Sequence, residues 1–484
     1  MRARVLDEPE LEFRASNRHI DPRFGITQFG PADADTSTAP RRLTVGIVGP
    51  AGAADGLRRW LDQCAEEILR KQPKLGQENL FITFPGFNSD AGFFAELVHD
   101  DSLVRQIPDK EMRQLVGGAD VAGVERTAAA YAAEARSLSE AGRCDLIFVV
   151  RPDELDGGIE VSSDAEEGDG EREEERPESH QDVGSTFHDI VKARCLGLSC
   201  PIQVIRRETW TGKRTAGNKR DWPLQDEASR AWNLFTALYY KAGGTPWRLP
   251  RASTDLASCF VGVSFFKALD QSSLDTAVAQ VFNERGDGVV VRGGQASISK
   301  NDRQPHLGVD DAKNLIVDAL NEYRMVHGNL PARVVLHKTS AFDKAETEGF
   351  NAAANEKDVS QLELIWVQNH VGPRLFRSGQ LPPLRGTILE LQADALLLYT
   401  RGSIPFFRTY PGLYVPSPIL LRSSGGIDME KAAVEVLALS KMNWNNAQLD
   451  EREPLTVRTA RRVGLILRHV RSDEPFAKRY AFYM

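Results

Sequence analysis

Between Arg41 and Trp210 the chain repeats one local grammar: an apolar run of strand length, then a stretch with helical spacing. That alternation is what most constrains its fold. RRLTVGIVGP reads as a buried strand ending at Gly49-Pro50, and DGLRRWLDQCAEEILRK has helical spacing through Leu57, Trp60, Leu61, Cys64 and Ile68. NLFITFPGF reads as a second strand, Val124 to Ala141 as helical, and CDLIFVVRP as a third strand. FHDIVKARCLGL predicts a helix, PIQVIRRETW a strand, and RAWNLFTALYYKAGG a helix closed by glycines. Strands separated by helices pair in parallel, so this region predicts a Rossmann-like α/β domain.

From Cys259 the grammar changes. CFVGVSFFKAL, TAVAQVFN and GVVVRGGQ are strand-like runs spaced for hairpins, and DDAKNLIVDALNEYRMVHG predicts a helix. RVVLHKTSAF and LELIWVQ read as further strands, RGTILELQ and ALLLYTRGS as a hairpin, and MEKAAVEVLALSKMNW and TVRTARRVGLILRHV as closing helices. Three antiparallel strands, then a helix and a parallel strand, is the order of an RNase H-like domain. With 484 residues there is room for two or three domains. The expected division is an extension over 1–44, the first α/β domain over 45–250 and the second over 251–484.

Charge is unevenly spread. The net charge is −8, but residues 153–182 hold fourteen Asp or Glu against two Arg, so the remainder carries +4. The acidic stretch is low in complexity and too polar to bury a core, which predicts a disordered insertion. Residues 186–251 carry twelve Lys or Arg against five Asp or Glu, a basic patch of the kind that meets a phosphate backbone. Five cysteines with no C-x-x-C pair argue against a disulfide framework or zinc site. No apolar run reaches the roughly 18 residues that span a membrane. The charged N-terminus has no signal-like apolar core, which leads us to expect a cytoplasmic protein.

The order of a Rossmann-like domain followed by an RNase H-like domain, together with particular strings, resembles the MID and PIWI domains of Argonautes. NLFTALYYKAGGTPWRLP resembles the Asn-…-Lys-x-Gly-Gly-x-x-Trp segment at the MID–PIWI junction. CFVGVSFF resembles the first PIWI strand, RVVLHKTSAF the third catalytic strand, and SKMNWNN…PLTVRTARRVG the closing helices. The resemblance covers roughly residues 45–484, with no separate N and PAZ domains, which points to the short prokaryotic clade. Such proteins pair with a separate APAZ-bearing effector chain.

The resemblance implies a pocket for the 5′ end of a guide strand. His188 and Lys192 lie four apart on a predicted helix, Gln203 on the next strand, and Asn233 and Lys241 eight apart on the following helix. Lysines supply compact cations for a terminal phosphate, Gln203 and Asn233 directional hydrogen bonds, and His188 a ring to stack on the first base. The apolar tail FAKRYAFYM can tuck inward, so that a Met484 carboxylate, with magnesium, would help hold the first phosphates.

The nuclease centre is expected to be degenerate. Two-metal hydrolysis needs several carboxylates. Catalytic Argonautes carry acids about where this chain has Ser264, Thr339 or Ser340, and an acid or His near Arg461. Glu284 is a candidate for the remaining acid and Asp343 for a shifted ligand, though a loop surface position suits Asp343 better. The implied function is a non-cutting guide-holder: a 5′-phosphorylated guide RNA, a single-stranded DNA target, and an effector partner of TIR, sirtuin-like or nuclease type, acting in defence against plasmids or phage. Two rivals are weaker. An active guided nuclease would have to use acids such as Asp255, Asp270 or Asp287. A dinucleotide enzyme would use VGIVGPAG, but Gly46, Gly49 and Gly52 miss the G-x-G-x-x-G spacing and Pro50 removes an amide.

Overall fold

The computed structural model describes residues 2–117, 120–155, 187–214, 224–251, 256–267, 269, 274–282, 288–369, 372–412, 415–424, 426–449, 451–471 and 474–484. The acidic stretch from residue 156 onward, and Asp255, Asp270, Glu284 and Asp287, lie outside these.

The chain opens with strands β1 (Arg2–Val5), β2 (Leu11–Glu12) and β3 (Arg18–His19) and helix α1 (Pro22–Phe29). An α/β segment follows: β4 (Arg42–Pro50), α2 (Ala51–Gln63), β5 (Glu96–Ile107), α3 (Asp109–Val116), α4 (Val121–Glu140) and β6 (Leu146–Val150). It closes with α5 (Phe187–Arg194), β7 (Ile202–Ile205), α6 (Arg207–Thr211) and α7 (Glu227–Lys241). The second half runs β8 (Ser258–Lys267), β9 (Leu274–Phe282), β10 (Gly288–Ile298), β11 (Pro305–Leu307), α8 (Val309–His327), β12 (Arg333–Lys338) and α9 (Lys344–Glu356). It ends with β13 (Gln361–Gln368), β14 (Thr387–Gln392), β15 (Ala395–Leu398), β16 (Ile419–Ser423), α10 (Met429–Leu439) and α11 (Leu455–Leu467).

The first sheet has the order β5-β4-β6-β7, with every described pairing parallel. β4 and β6 are nearly continuous apolar runs because helices cover both of their faces. The sequence placed its second strand wrongly. NLFITFPGF forms only an isolated bridge between Phe84 and Ile68, and α2 stops at Gln63 rather than running to Lys71. Its aromatics serve as core instead: Phe84 and Phe87 stack on Phe235 of α7 at 5.4 and 4.6 Å. The true neighbour of β4 is β5, hidden in sequence by the polar run His99-Asp100-Asp101-Ser102, which the sheet accommodates as a bulge between Val45 and Ile47.

The second sheet has ten strands in the order β1-β14-β15-β16-β13-β12-β8-β9-β10-β11. β8, β9 and β10 are antiparallel, while β12 runs parallel to both β8 and β13, as the sequence order required. The N-terminal stretch contributes its own edge strand, β1, paired to β14. Helix α11 lies directly on β8, where a Cβ on Gly262 would stand 2.0 Å from the Thr456 carbonyl oxygen. The C-terminal tail returns to the first half: Tyr480, Phe482, Tyr483 and Met484 share one apolar core with Trp232, Phe235 and Tyr239 of α7. No helix among the described residues is long and apolar enough to cross a membrane.

Candidate functional site

The returning tail closes the floor of a cleft of about 530 Å³ between α5, β7, α7 and α11. His188, Gln203, Asn233 and Met484 line it. Lys192 and Lys241 lie beneath, each 1% exposed, because α5 and α7 both turn their one lysine toward the start of β7. The Lys241 Nζ donates to Gln203 Oε1 at 2.5 Å, to the Met484 main-chain oxygen at 2.8 Å and to the Ile202 carbonyl at 3.1 Å. The Lys192 Nζ donates to the same Ile202 carbonyl at 2.7 Å and to the same Met484 oxygen. Two ammonium groups thus share two oxygens. Burial pushes the Lys192 ammonium down to about 7, and nearby Arg462 adds to the effect. Such a site gains from an anion.

Lys192, Gln203, Lys241 and Met484 therefore form one hydrogen-bonded cluster. His188 and Asn233 stand on the cleft wall outside it. His188 Nδ1 lies 2.9 Å from Asp189 Oδ1. The Asn233 amide donates to Gln225 Oε1 at 2.9 Å and accepts from the Ala447 backbone N–H at 3.1 Å, so its polar atoms hold a loop in place. Sequence reasoning missed the arginines of the rim: Arg23, Arg151, Arg206, Arg230, Arg401 and Arg462. The basic excess of 186–251 signalled Arg206 and Arg230, but nothing local marks Arg401 or Arg462. Arg230 is spent on the Thr209 and Gln225 carbonyls, at 2.8 and 2.5 Å. Arg462 is half-buried and has no acidic partner among the described residues.

The positions where the sequence resemblance looked for catalytic acids lie outside this cluster. Ser264 is buried on β8. Thr339 follows β12 and is exposed, its carbonyl accepting from Trp366 Nε1 at 2.8 Å. Arg461 on α11 pairs with Glu453 at 2.9 Å. Asp343 caps α9 in a reciprocal capping box with Glu346, its Oδ1 accepting from the Glu346 amide. His306, Asp343 and Glu346 converge within 4.8 Å, a spacing a metal could use, yet Lys338 Nζ already lies 2.5 Å from Glu346 Oε2. An ammonium fills the role of the cation there. Gly46 and Gly49 serve packing: a Cβ on Gly49 would stand 2.6 Å from Val150 Cβ, whereas one on Gly52 would meet open space, and Pro50 caps α2 without an amide to offer.

No protein-family model matches the sequence, and no curated protein is similar enough to register. Solved structures do match the fold. A Clostridium butyricum Argonaute bound to a guide DNA and a 19-mer target DNA aligns with TM-score 0.65 and 15% identity, over 97% of this chain and 53% of that one. Aa-Ago with externally bound siRNA aligns with TM-score 0.61 and 14% identity, over 99% of this chain and 55% of that one. Drosophila Piwi aligns with TM-score 0.57 and 14% identity, over 99% and 56%. The chain spans about half the length of these proteins, and its fold is the MID–PIWI fold they contain.

Proposed function

We propose that this chain holds the 5′-phosphorylated end of a guide strand and uses it to capture a complementary target without cutting. The observation that carries the reading is the buried cluster of Lys192, Lys241, Gln203 and Met484 beneath an arginine-rimmed cleft. Two desolvated ammonium groups meeting on shared oxygens favour a dianionic phosphate over any neutral group. Base pairing, rather than side-chain contacts, then supplies sequence selectivity.

Magnesium fits this donor set only alongside the guide. The ion takes one or two carboxylates together with substrate phosphates. Met484 would supply the carboxylate, and the bound ion would offset phosphate charge beyond what the lysines neutralise. The chain's own residues bind the terminal phosphate, orient the first nucleotide through the cleft wall and exclude water from the floor.

Ser264, Thr339 and Arg461 offer no carboxylate, which supports a role in recognition rather than hydrolysis. We extend the reading to a guide RNA, a single-stranded DNA target and a heterodimer with an APAZ-bearing effector of TIR, sirtuin-like or nuclease type, in cytoplasmic defence against plasmids or phage. Target pairing would favour one conformation of that complex and so release the partner's activity.

The test is binding of short RNA and DNA with 5′-phosphate or 5′-hydroxyl ends, with and without magnesium. A clear phosphate preference, erased by Lys192→Ala or Lys241→Ala, is the expected result. Equal binding of both ends by the parent and both variants would overturn the assignment.

A further inference from the structure

We propose that Arg461 is a phosphodiester clamp for the target strand, set at the carboxyl ends of the parallel strands; this rests on the guide-binding reading above. The register pairs Val263 of β8 with Lys338 of β12 and Lys338 with Trp366 of β13. Ser264 and Thr339 consequently follow on one edge of the sheet, and Asn369 comes just after β13 ends. Phe260, Val335, Ile365 and Val367 pack with Val457 of α11, so strand alternation brings Ser264 onto the α11 face as well. The carboxyl edge of parallel strands is where this class of sheet receives ligands.

Into that edge α11 projects a cation whose aim is fixed. Arg461 Nη2 lies 2.9 Å from Glu453 Oε2, and Nη1 donates to Glu453 Oε1 at 3.3 Å. Glu453 is 5% exposed and accepts in turn from the Asn369 side-chain amide, while the Asn369 main-chain carbonyl accepts from Arg452 at 2.6 Å. A bidentate contact of this kind uses two of the five guanidinium N–H groups and leaves three for a second anion. The Arg461 side chain is 46% exposed while Glu453 is 5% exposed, so the carboxylate fixes the guanidinium from the protein side and leaves its outer N–H groups in water. A buried carboxylate that orients a half-exposed arginine is better explained by what the arginine meets.

The neighbouring residue sets the context. Arg462 lines the guide cleft, and successive residues on a helix diverge by about 100°. Adjacent arginines on one rigid helix therefore serve two places, the guide end and the strand-end edge. Without acids at Ser264 and Thr339, a target phosphate arriving there would find no metal to neutralise it. Arg461 supplies the compensating charge.

The experiment loads parent, Arg461→Ala and Arg461→Lys with a 5′-phosphorylated guide and titrates a complementary strand across a salt series. Arg461→Ala is expected to weaken target capture about tenfold and to flatten the slope of log K on log salt by roughly one. Arg461→Lys should restore the slope but only part of the affinity, because it keeps the charge and loses the fork. Parent-like target affinity and slope in Arg461→Ala overturn the clamp. So does a loss confined to guide affinity, which would assign the cation to the other strand. A parent that binds no guide overturns the guide reading, and the clamp with it.

Discussion

On the proposed reading, the buried position of Lys192 makes binding of a guide 5′-phosphate a proton-linked event. An unperturbed lysine titrates near 10.5, whereas burial brings this one to about 7, so charging it in the empty cleft costs on the order of 5 kcal/mol. Between those values the unfolded chain keeps a proton that the folded chain has released. The free protein therefore carries the full cost below pH 7 and gains stability as pH rises through that window. A bound phosphate reverses the balance by restoring the ammonium. Binding above pH 7 must then take up a proton, and affinity for a 5′-phosphate should fall by up to about tenfold per pH unit. At the acid end the phosphate itself loses charge near its second ionisation, at about pH 6. The ratio of 5′-phosphate to 5′-hydroxyl affinity should peak between those limits. Anisotropy titrations from pH 6 to 9 read that ratio, and calorimetry in two buffers of different ionisation enthalpy counts the proton. Lys192→Met, close in volume, should flatten the profile as well as lower the preference. A ratio that stays flat from pH 6.5 to 8.5 with no proton uptake would refute the reasoning.

Three further outcomes follow from the same geometry. Guide-loaded protein should leave a complementary target uncut in magnesium or manganese, and a guide-dependent product of defined length would restore the active-nuclease reading. Arg333 is 2% exposed between Glu363 and Glu435, at 2.6 and 2.7 Å, so Arg333→Met should leave two carboxylates unpaired and cost about 3–5 kcal/mol in a denaturant melt. Gly262→Ala should push α11 off β8, because its Cβ would stand 2.0 Å from the Thr456 carbonyl oxygen; we expect a loss of at least about 1–3 kcal/mol, together with weaker guide and target binding.

How much of this was legible in the sequence depended on whether the signal was local. Helices α4, α7 and α8 follow from apolar spacing, and β4 and β6 from runs that only a doubly covered strand would bury. NLFITFPGF failed because the same aromatics suit a strand or a loop pressed under α7, and tertiary packing chose the loop. β5 was invisible because a charged bulge broke its pattern. β1 has no core to announce it, being four residues on an edge. In the cleft, the types and order of Lys192, Gln203 and Lys241 could be read from their elements. That the lysines would be buried under Met484, and that Arg401 and Arg462 would return to the rim, depends on contacts between segments some 200 residues or more apart.

Helix α11 ties these distant contacts together. Its Val463 and Ile466 belong to the core shared with α7 and the C-terminal tail, while Val457 belongs to the core of the ten-stranded sheet. Thr456 Oγ1 reaches His337 Nδ1 of β12 at 2.8 Å, which pins the helix to the strands that lead into Ser264 and Thr339. One rigid element thus carries Arg462, which lines the cleft, and Arg461, which pairs with Glu453. A displacement of α11 would move both cations together, because neither is carried on a separate loop. On the proposed reading, anchoring of the guide end and passage of the paired strand are then set by the same helix position. This explains why a single methyl group at Gly262, remote from either arginine in sequence, should weaken both steps rather than one.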